Sequence, residues 1–218
     1  MVKKKKFAVV ISGCGVYDGT EIHEAVLSLY AISKNGAEYQ VFAPDIPQHH
    51  VINHISCEEM NETRNVLVES ARIARGNIEP LSAFKPQEFD ALIFPGGFGA
   101  AKNLSTWAFE KSEAKINPDV ERSIKDMVKA GKPIGALCIS PVLLAKVLDG
   151  VEITIGDNKS TIEELIKTGA NHKEAGHGEI VIDRKYKVVT TPCYMLDSSI
   201  LQIGEGIENV VKTMLKMT

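Results

Sequence analysis

The 218-residue sequence has no long apolar run: near its start the longest aliphatic or aromatic stretch is Phe7 to Ile11. A membrane-spanning helix needs roughly 20 such residues and a signal-peptide core about 7–15, so neither insertion nor export is expected. Arginine is missing before Arg64, which argues against an Arg-rich amphipathic presequence. Cysteine is sparse and unpaired in spacing: Cys14, Cys57, Cys138 and Cys193 read as free thiols in a reducing compartment, with the cytoplasm the default. Basic excess is missing as well. Lys and Arg number 25 against 28 Asp and Glu, a net charge of -3. Because Lys3 to Lys6 hold four of those cations, the rest of the chain carries about -7. A nucleic-acid ligand needs clustered cations along one face, and none are spaced that way. No tandem repeat or linker composition interrupts the chain, which reads as a single domain over residues 1–218.

What is present is a hydrophobic fraction of 44%, enough for a sizeable core. Short apolar runs alternate with amphipathic stretches, the pattern of a mostly parallel sheet covered by helices. The first strand is expected at Phe7 to Ser12 and the next at Tyr39 to Ala43. Asp18 with Glu21 resembles a capping box before a helix whose apolar stripe is Ile22, Ala25, Val26, Leu29 and Ile32, stopped by Gly36. Further helices are expected over Glu62 to Arg75, from Asn117 and Pro118 to Lys129, from Ser140 and Pro141 to Leu148, after a capping box at Ser160 and Glu163, and at the C-terminus. Strands are expected at Ala91 to Phe94, Pro133 to Leu137 and Glu152 to Ile155, with a hairpin of Glu179 to Ile182 and Lys187 to Thr190.

The most informative local feature is Gly135-Ala-Leu-Cys-Ile-Ser140. A thiol at an abrupt strand-to-helix change lies on the C-terminal edge of the sheet, where open α/β folds bind ligands, and faces a helix N-terminus that lowers its pKa. Cys138 is thus a candidate nucleophile, the alternative being a small core thiol. At another strand end, Phe94-Pro-Gly-Gly-Phe-Gly-Ala-Ala101 lets backbone approach a ligand closely. Gly97 N–H and Ile139 N–H could then stabilise an oxyanion, unless the segment is simply a tight turn. It lacks the spacing of a phosphate or dinucleotide loop. Cys14, in Ser12-Gly-Cys-Gly15, either lines the same cleft or fills space under a turn. His49, His50, His54 and Cys57 could share a metal only on a helix, and Pro47 with Asn53 favours a loop; no metal is expected.

Together these residues resemble the ThiJ/PfpI superfamily within the class I glutamine amidotransferase-like fold. Ser12-Gly-Cys-Gly-Val-Tyr-Asp-Gly19, Val51-Ile-Asn-His54, Thr63-Arg-Asn-Val66, Pro95-Gly-Gly-Phe-Gly-Ala-Ala-Lys-Asn-Leu104, Thr190-Thr-Pro192 and Tyr194-Met-Leu196 are similar to the ElbB-type branch, the isoprenoid-biosynthesis or lycopene-enhancing amidotransferase-like proteins. The resemblance runs from about Lys5 to the C-terminus. It implies a flavodoxin-like three-layer α/β sandwich with a nucleophile elbow, a homodimer, and a pocket including Gly96, Cys14 and Asp157. It also implies a protonated acid early in the first helix, which falls on Glu24, with Glu21 as the other choice. Glutamine amidotransferases place a His late in the chain, and many relatives place one about twenty residues after the Cys, where this sequence reads Thr154-Ile-Gly-Asp157. The implied activity is glyoxalase-like: glyoxal or methylglyoxal converted without organic cofactor through Cys138. The alternatives are a non-enzymatic regulator or a redox- or metabolite-binding protein supporting isoprenoid biosynthesis, and a glutaminase subunit with a synthase partner.

Overall fold

The computed structural model of the protein describes residues 4–218, so Lys3 of the basic run lies outside the described residues. Strand β1 (Lys6–Val10) is an interior strand of a seven-stranded sheet. Its residues alternate between two cores: Phe7 and Val9 enter one, Ala8 and Val10 the other. A strand buried on both faces must be continuously apolar, and its buried part, Phe7 to Val10, is. Helix α1 (Ile22–Lys34) leads to β2 (Glu38–Ala43), then α2 (Val66–Ile73), β3 (Ile78–Pro80) and β4 (Ala91–Phe94). Two short helices follow, α3 (Phe98–Lys102) and α4 (Trp107–Glu110), then α5 (Pro118–Lys129), β5 (Ile134–Leu137) and α6 (Pro141–Val147). The last third adds β6 (Glu152–Ile153), α7 (Lys159–Lys167), β7 (Asn171–His172), β8 (Val181–Asp183), β9 (Val188–Thr191) and α8 (Ile200–Lys216).

The strand order is β3-β2-β1-β4-β5-β9-β8, parallel throughout except for the antiparallel β8–β9 pair. Residues of α1 and α8 pack in the core with Phe7 and Val9, while those of α5, α6 and α7 pack in the core with Ala8 and Val10. The molecule is therefore the three-layer, flavodoxin-like α/β sandwich expected. All parallel strands end on one edge, and the order reverses between β1 and β4, which places a crevice where ligands bind in open α/β sheets.

Several local expectations shift for identifiable reasons. Asp18 does not cap α1: its Oδ2 accepts from Ile52 N at 2.7 Å, and Glu21 caps the helix by accepting from Glu24 N at 2.7 Å. The buried face of α1 is Glu24, Ala25, Ser28, Ala31 and Ile32, whereas Ile22 and Val26 stay exposed. Four of these five are small or polar and let α1 approach its neighbours closely, so the most apolar stripe is not the inward one. Helix α2 starts at Val66, because Gln48 N bonds Arg64 O and Val66 N bonds Ile46 O, holding the preceding residues extended until Asn65 caps the helix. Asn158, not Ser160, caps α7, accepting from Thr161 N. The strand expected to reach Ile155 stops at Ile153 and pairs with β7 in a separate two-stranded sheet. Asn117 caps α5 with Pro118 in its first turn, as the sequence implies.

Candidate active site

Cys138 lies one residue past β5 with φ = 58°, a left-handed value that costs a non-glycine residue about 1–3 kcal/mol unless its surroundings enforce it. Its N–H donates to Thr191 O at 3.1 Å, and Ser140 Oγ donates to Pro95 O at 2.7 Å, so β9 and the β4 turn pin the bend from either side. The elbow read from the sequence is present.

Glu24 reaches the thiol from α1. It has no exposed surface, its Oε2 accepts from Gly96 N at 2.8 Å and its Oε1 from Tyr194 N at 3.4 Å, and its carboxyl is hydrogen-bonded to Cys138. Burial, helped by the neighbouring Glu21 charge, pushes its pKa up to about 8 against the pull of those two amides. The group is thus a carboxylic acid near neutral pH. Glu21 instead spends its carboxylate on the cap. Gly96 is required here: a Cβ on it would stand 2.4 Å from Cys138 Cβ and 2.6 Å from Glu24 Oε2.

The amides of Gly97 and Ile139 both point at the Cys138 sulfur and favour its ionised form. They do not win. Burial is the larger effect and holds the thiol well above its ordinary pKa, with the Glu24 charge adding to this once Glu24 ionises. The helix-end activation expected from sequence is therefore corrected: α6 is short, and Cys138 is a buried, neutral thiol at rest.

A cavity of about 520 Å³ opens at Cys138, lined also by Gly97, Ile139, Glu21 and Tyr194, with Glu24 behind the thiol rather than in the lining. Phe98, Ala101, Trp107, Ala108 and Phe109 give it an apolar wall, Lys102 and Lys111 two cations, and Asn158 with Thr161 the first turn of α7. Three residues expected in this pocket are absent from its lining. Gly96 lies behind it, packed against Cys138 and Glu24, and its neighbour Gly97 faces the cavity instead. Cys14 sits half-buried under the influence of Arg72 and Glu69 of α2, in a turn where Gly13 N donates to Ser70 Oγ. Asp157 belongs to a shallow depression shared with His177 and Glu179, and its neighbour Asn158 takes the place facing the cavity.

His172 Nε2 accepts from Ile155 N and His177 Nδ1 meets Ser198 Oγ, so neither late histidine lines the cavity. His49 and His50 pack against Phe109, while His54 Nε2 accepts from Tyr17 N. Among the described residues no group of three or more His, Cys, Asp or Glu side chains is placed to hold a metal ion. What sequence reasoning missed is Tyr194, whose hydroxyl meets His23 Nδ1 at 2.9 Å. Tyr194 stood in one of the family-like segments; His23 carried no signal at all, because only the fold brings α1 beside the turn after β9.

The DJ-1/PfpI family model matches residues 15–194. The chain belongs to the DJ-1/PfpI family. Among its relatives is the human protein named glutamine amidotransferase-like class 1 domain-containing protein 3, mitochondrial, 50% identical over 98% of this chain and 83% of that protein. A solved structure of an isoprenoid biosynthesis protein with amidotransferase-like domain from Ehrlichia chaffeensis is 34% identical, covers 98% of this chain and 99% of that one, and superposes with a TM-score of 0.92. Glyoxalase III from Candida albicans, at 15% identity and a TM-score of 0.61 over 98% of this chain and 97% of that one, shares the fold alone. Among the described residues no helix is long and apolar enough to cross a membrane.

Proposed function

We propose that this family member converts small α-oxoaldehydes to 2-hydroxy acids without organic cofactor, Cys138 being the nucleophile and Glu24 the proton carrier. The observation that carries the reading is a fully buried carboxyl, protonated near neutral pH and hydrogen-bonded to a thiol at a strand-end elbow. The thiol adds across the aldehyde carbonyl, a C–S bond forms, and the thiol proton finishes on oxygen as a hemithioacetal. As sulfur becomes bonded to carbon, the Gly97 and Ile139 amides pass from sulfur to the new oxygen. One Glu24 oxygen then gives its proton to the C2 oxygen while the other takes the C1 hydrogen, leaving an enediol. That enediol takes a proton back from Glu24 at C2 and returns its C1 hydroxyl proton, giving a 2-hydroxythioester. C1 has been oxidised and C2 reduced, so no external redox partner enters. Water releases the hydroxy acid and restores the thiol.

A carboxyl that starts and ends each step protonated is what this rearrangement needs, and burial of Glu24 supplies it. The test is lactate formation from methylglyoxal by purified protein: activity in the parent and none in Cys138→Ser supports the reading, and equal activity in both sinks it. A second reading, a binding or regulatory protein, is favoured by the same neutral resting thiol, which is poorly nucleophilic until something enters the cavity. Saturable ligand binding without any turnover would decide for it. A glutaminase is disfavoured because no histidine lines the cavity, and ammonia release from glutamine is expected to be absent. All four cysteines are free, which suits a reducing interior; the human relative's name places that protein in mitochondria, so the cytoplasm is one such compartment among others.

A further inference from the structure

The cavity is far larger than a three-carbon aldehyde requires. At about 520 Å³ it falls within the ~300–1,000 Å³ of pockets that enclose drug-sized ligands. Its wall is aromatic and aliphatic, with Phe98, Trp107 and Phe109 contributing three rings. Two cations share that wall. Lys102 extends over the Phe98 ring at 5.5 Å and donates to Tyr17 O, and Lys111 follows α4. Among the described residues neither lysine makes an ion pair; Asp18 and Glu59 act on Lys102 only from beyond that range. Glu21, the carboxyl in the lining, is committed to the α1 cap. Lys111 is also held at φ = 50° and ψ = -124°, a backbone conformation that side-chain-bearing residues avoid.

From this pairing of an apolar wall with two unneutralised cations we infer that the cavity takes an anionic, apolar-bodied carbonyl compound: an aryl or alkyl oxo compound whose far end is a carboxylate. The carbonyl lies toward Cys138, the ring or chain against Trp107 and Phe98, and the carboxylate at Lys102 and Lys111. This rests on the proposed chemistry only for the identity of the reacting end. Hydrophobic contact gives affinity here, and the cations choose among ligands of equal apolar surface.

Trp107 is the sequence's single tryptophan and lines the cavity, so its fluorescence reports binding independently of turnover. Titrations of the full chain with 4-acetylbenzoate, acetophenone and acetate are expected to give saturable quenching by the first two. 4-Acetylbenzoate should bind at least tenfold more tightly than acetophenone, a difference of about 1.4 kcal/mol. Lys102→Met and Lys111→Met should each reduce that preference while leaving acetophenone binding in place, and Trp107→Phe should abolish the signal. Equal affinity for the two ketones, or a preference untouched by both lysine substitutions, overturns the inference. Turnover of methylglyoxal without binding of either aryl ketone also overturns it and leaves the chemistry standing. Aryl-ketone binding with the expected preference but no methylglyoxal turnover upholds the ligand class and removes the chemistry.

Discussion

At Cys138 the competition is between two backbone amides that favour the thiolate and burial that opposes it, and burial prevails. Cys57 is exposed, whereas Cys138 keeps 7% of its surface. Iodoacetamide near neutral pH is accordingly expected to label Cys57 before Cys138, the reverse of what an activated thiol at a helix end would do; mass-spectrometric mapping with Cys138 labelled first would show that the amides outweigh burial. Glu24→Gln keeps the approximate shape but removes the transferable proton, so methylglyoxal turnover should fall by about 10²-fold or more. In the parent, kcat should fall as pH rises through about 8, where Glu24 loses its proton. A kcat flat across that range would remove Glu24 from the proton path. Cys138 was legible in sequence because a strand-end thiol is a local signal, whereas Glu24 was reached only through the family resemblance, which left Glu21 as the other choice. The Tyr194–His23 contact was not legible, since 171 residues separate its partners.

Elements were read well where termini carry their own chemistry and poorly where a tertiary bond decides the start. Asn117 with Pro118 announced α5 unaided. The start of α2 depended on Val66 N reaching Ile46 O, and the Asp18 cap failed because Ile52 N claims that carboxylate. At α7 the cap is Asn158, whose side chain accepts from Thr161 N at 3.0 Å while also facing the cavity. Asn158→Ala should cost about 0.5–2 kcal/mol of stability, read as a lower Tm of about 2–4 °C per kcal/mol at this chain size; an unchanged Tm would mean α7 holds its first turn by other contacts. The Gly97 turn is less forgiving. With φ = 97° and a Cβ that would stand 2.3 Å from Glu21 N, Gly97→Ala must shift backbone rather than a mobile side chain, and it should reduce stability more than Asn158→Ala does.

For the molecule as a whole, alternation of apolar runs with helical stretches was sufficient to read the parallel sheet, because strands buried on both faces are continuously apolar. It could not show that β6 leaves the main sheet, since two-residue strands carry no period. The same burial that makes the sandwich stable imposes a pH dependence on it through Glu24. Its folded pKa is raised to about 8 from an ordinary 4.5, so between those values the folded chain holds a proton that the unfolded chain releases. Stability from this source is complete below about 4.5, declines by about 1.4 kcal/mol for each pH unit above it, and has been lost once pH passes 8. His49 and His172, both lowered from 6.5 by burial, act in the opposite sense at more acidic pH and drop out above about 6.5. The informative window is therefore from about 6.5 to 8, where the parent should lose roughly 2 kcal/mol relative to Glu24→Gln. Urea denaturation of both proteins across that window measures it: the parent's midpoint should fall toward alkaline pH while that of the Gln variant stays nearly level. Parallel curves would mean that Glu24 is already ionised in the folded state at neutral pH, and the protonated acid on which the proposed chemistry depends would be gone with it.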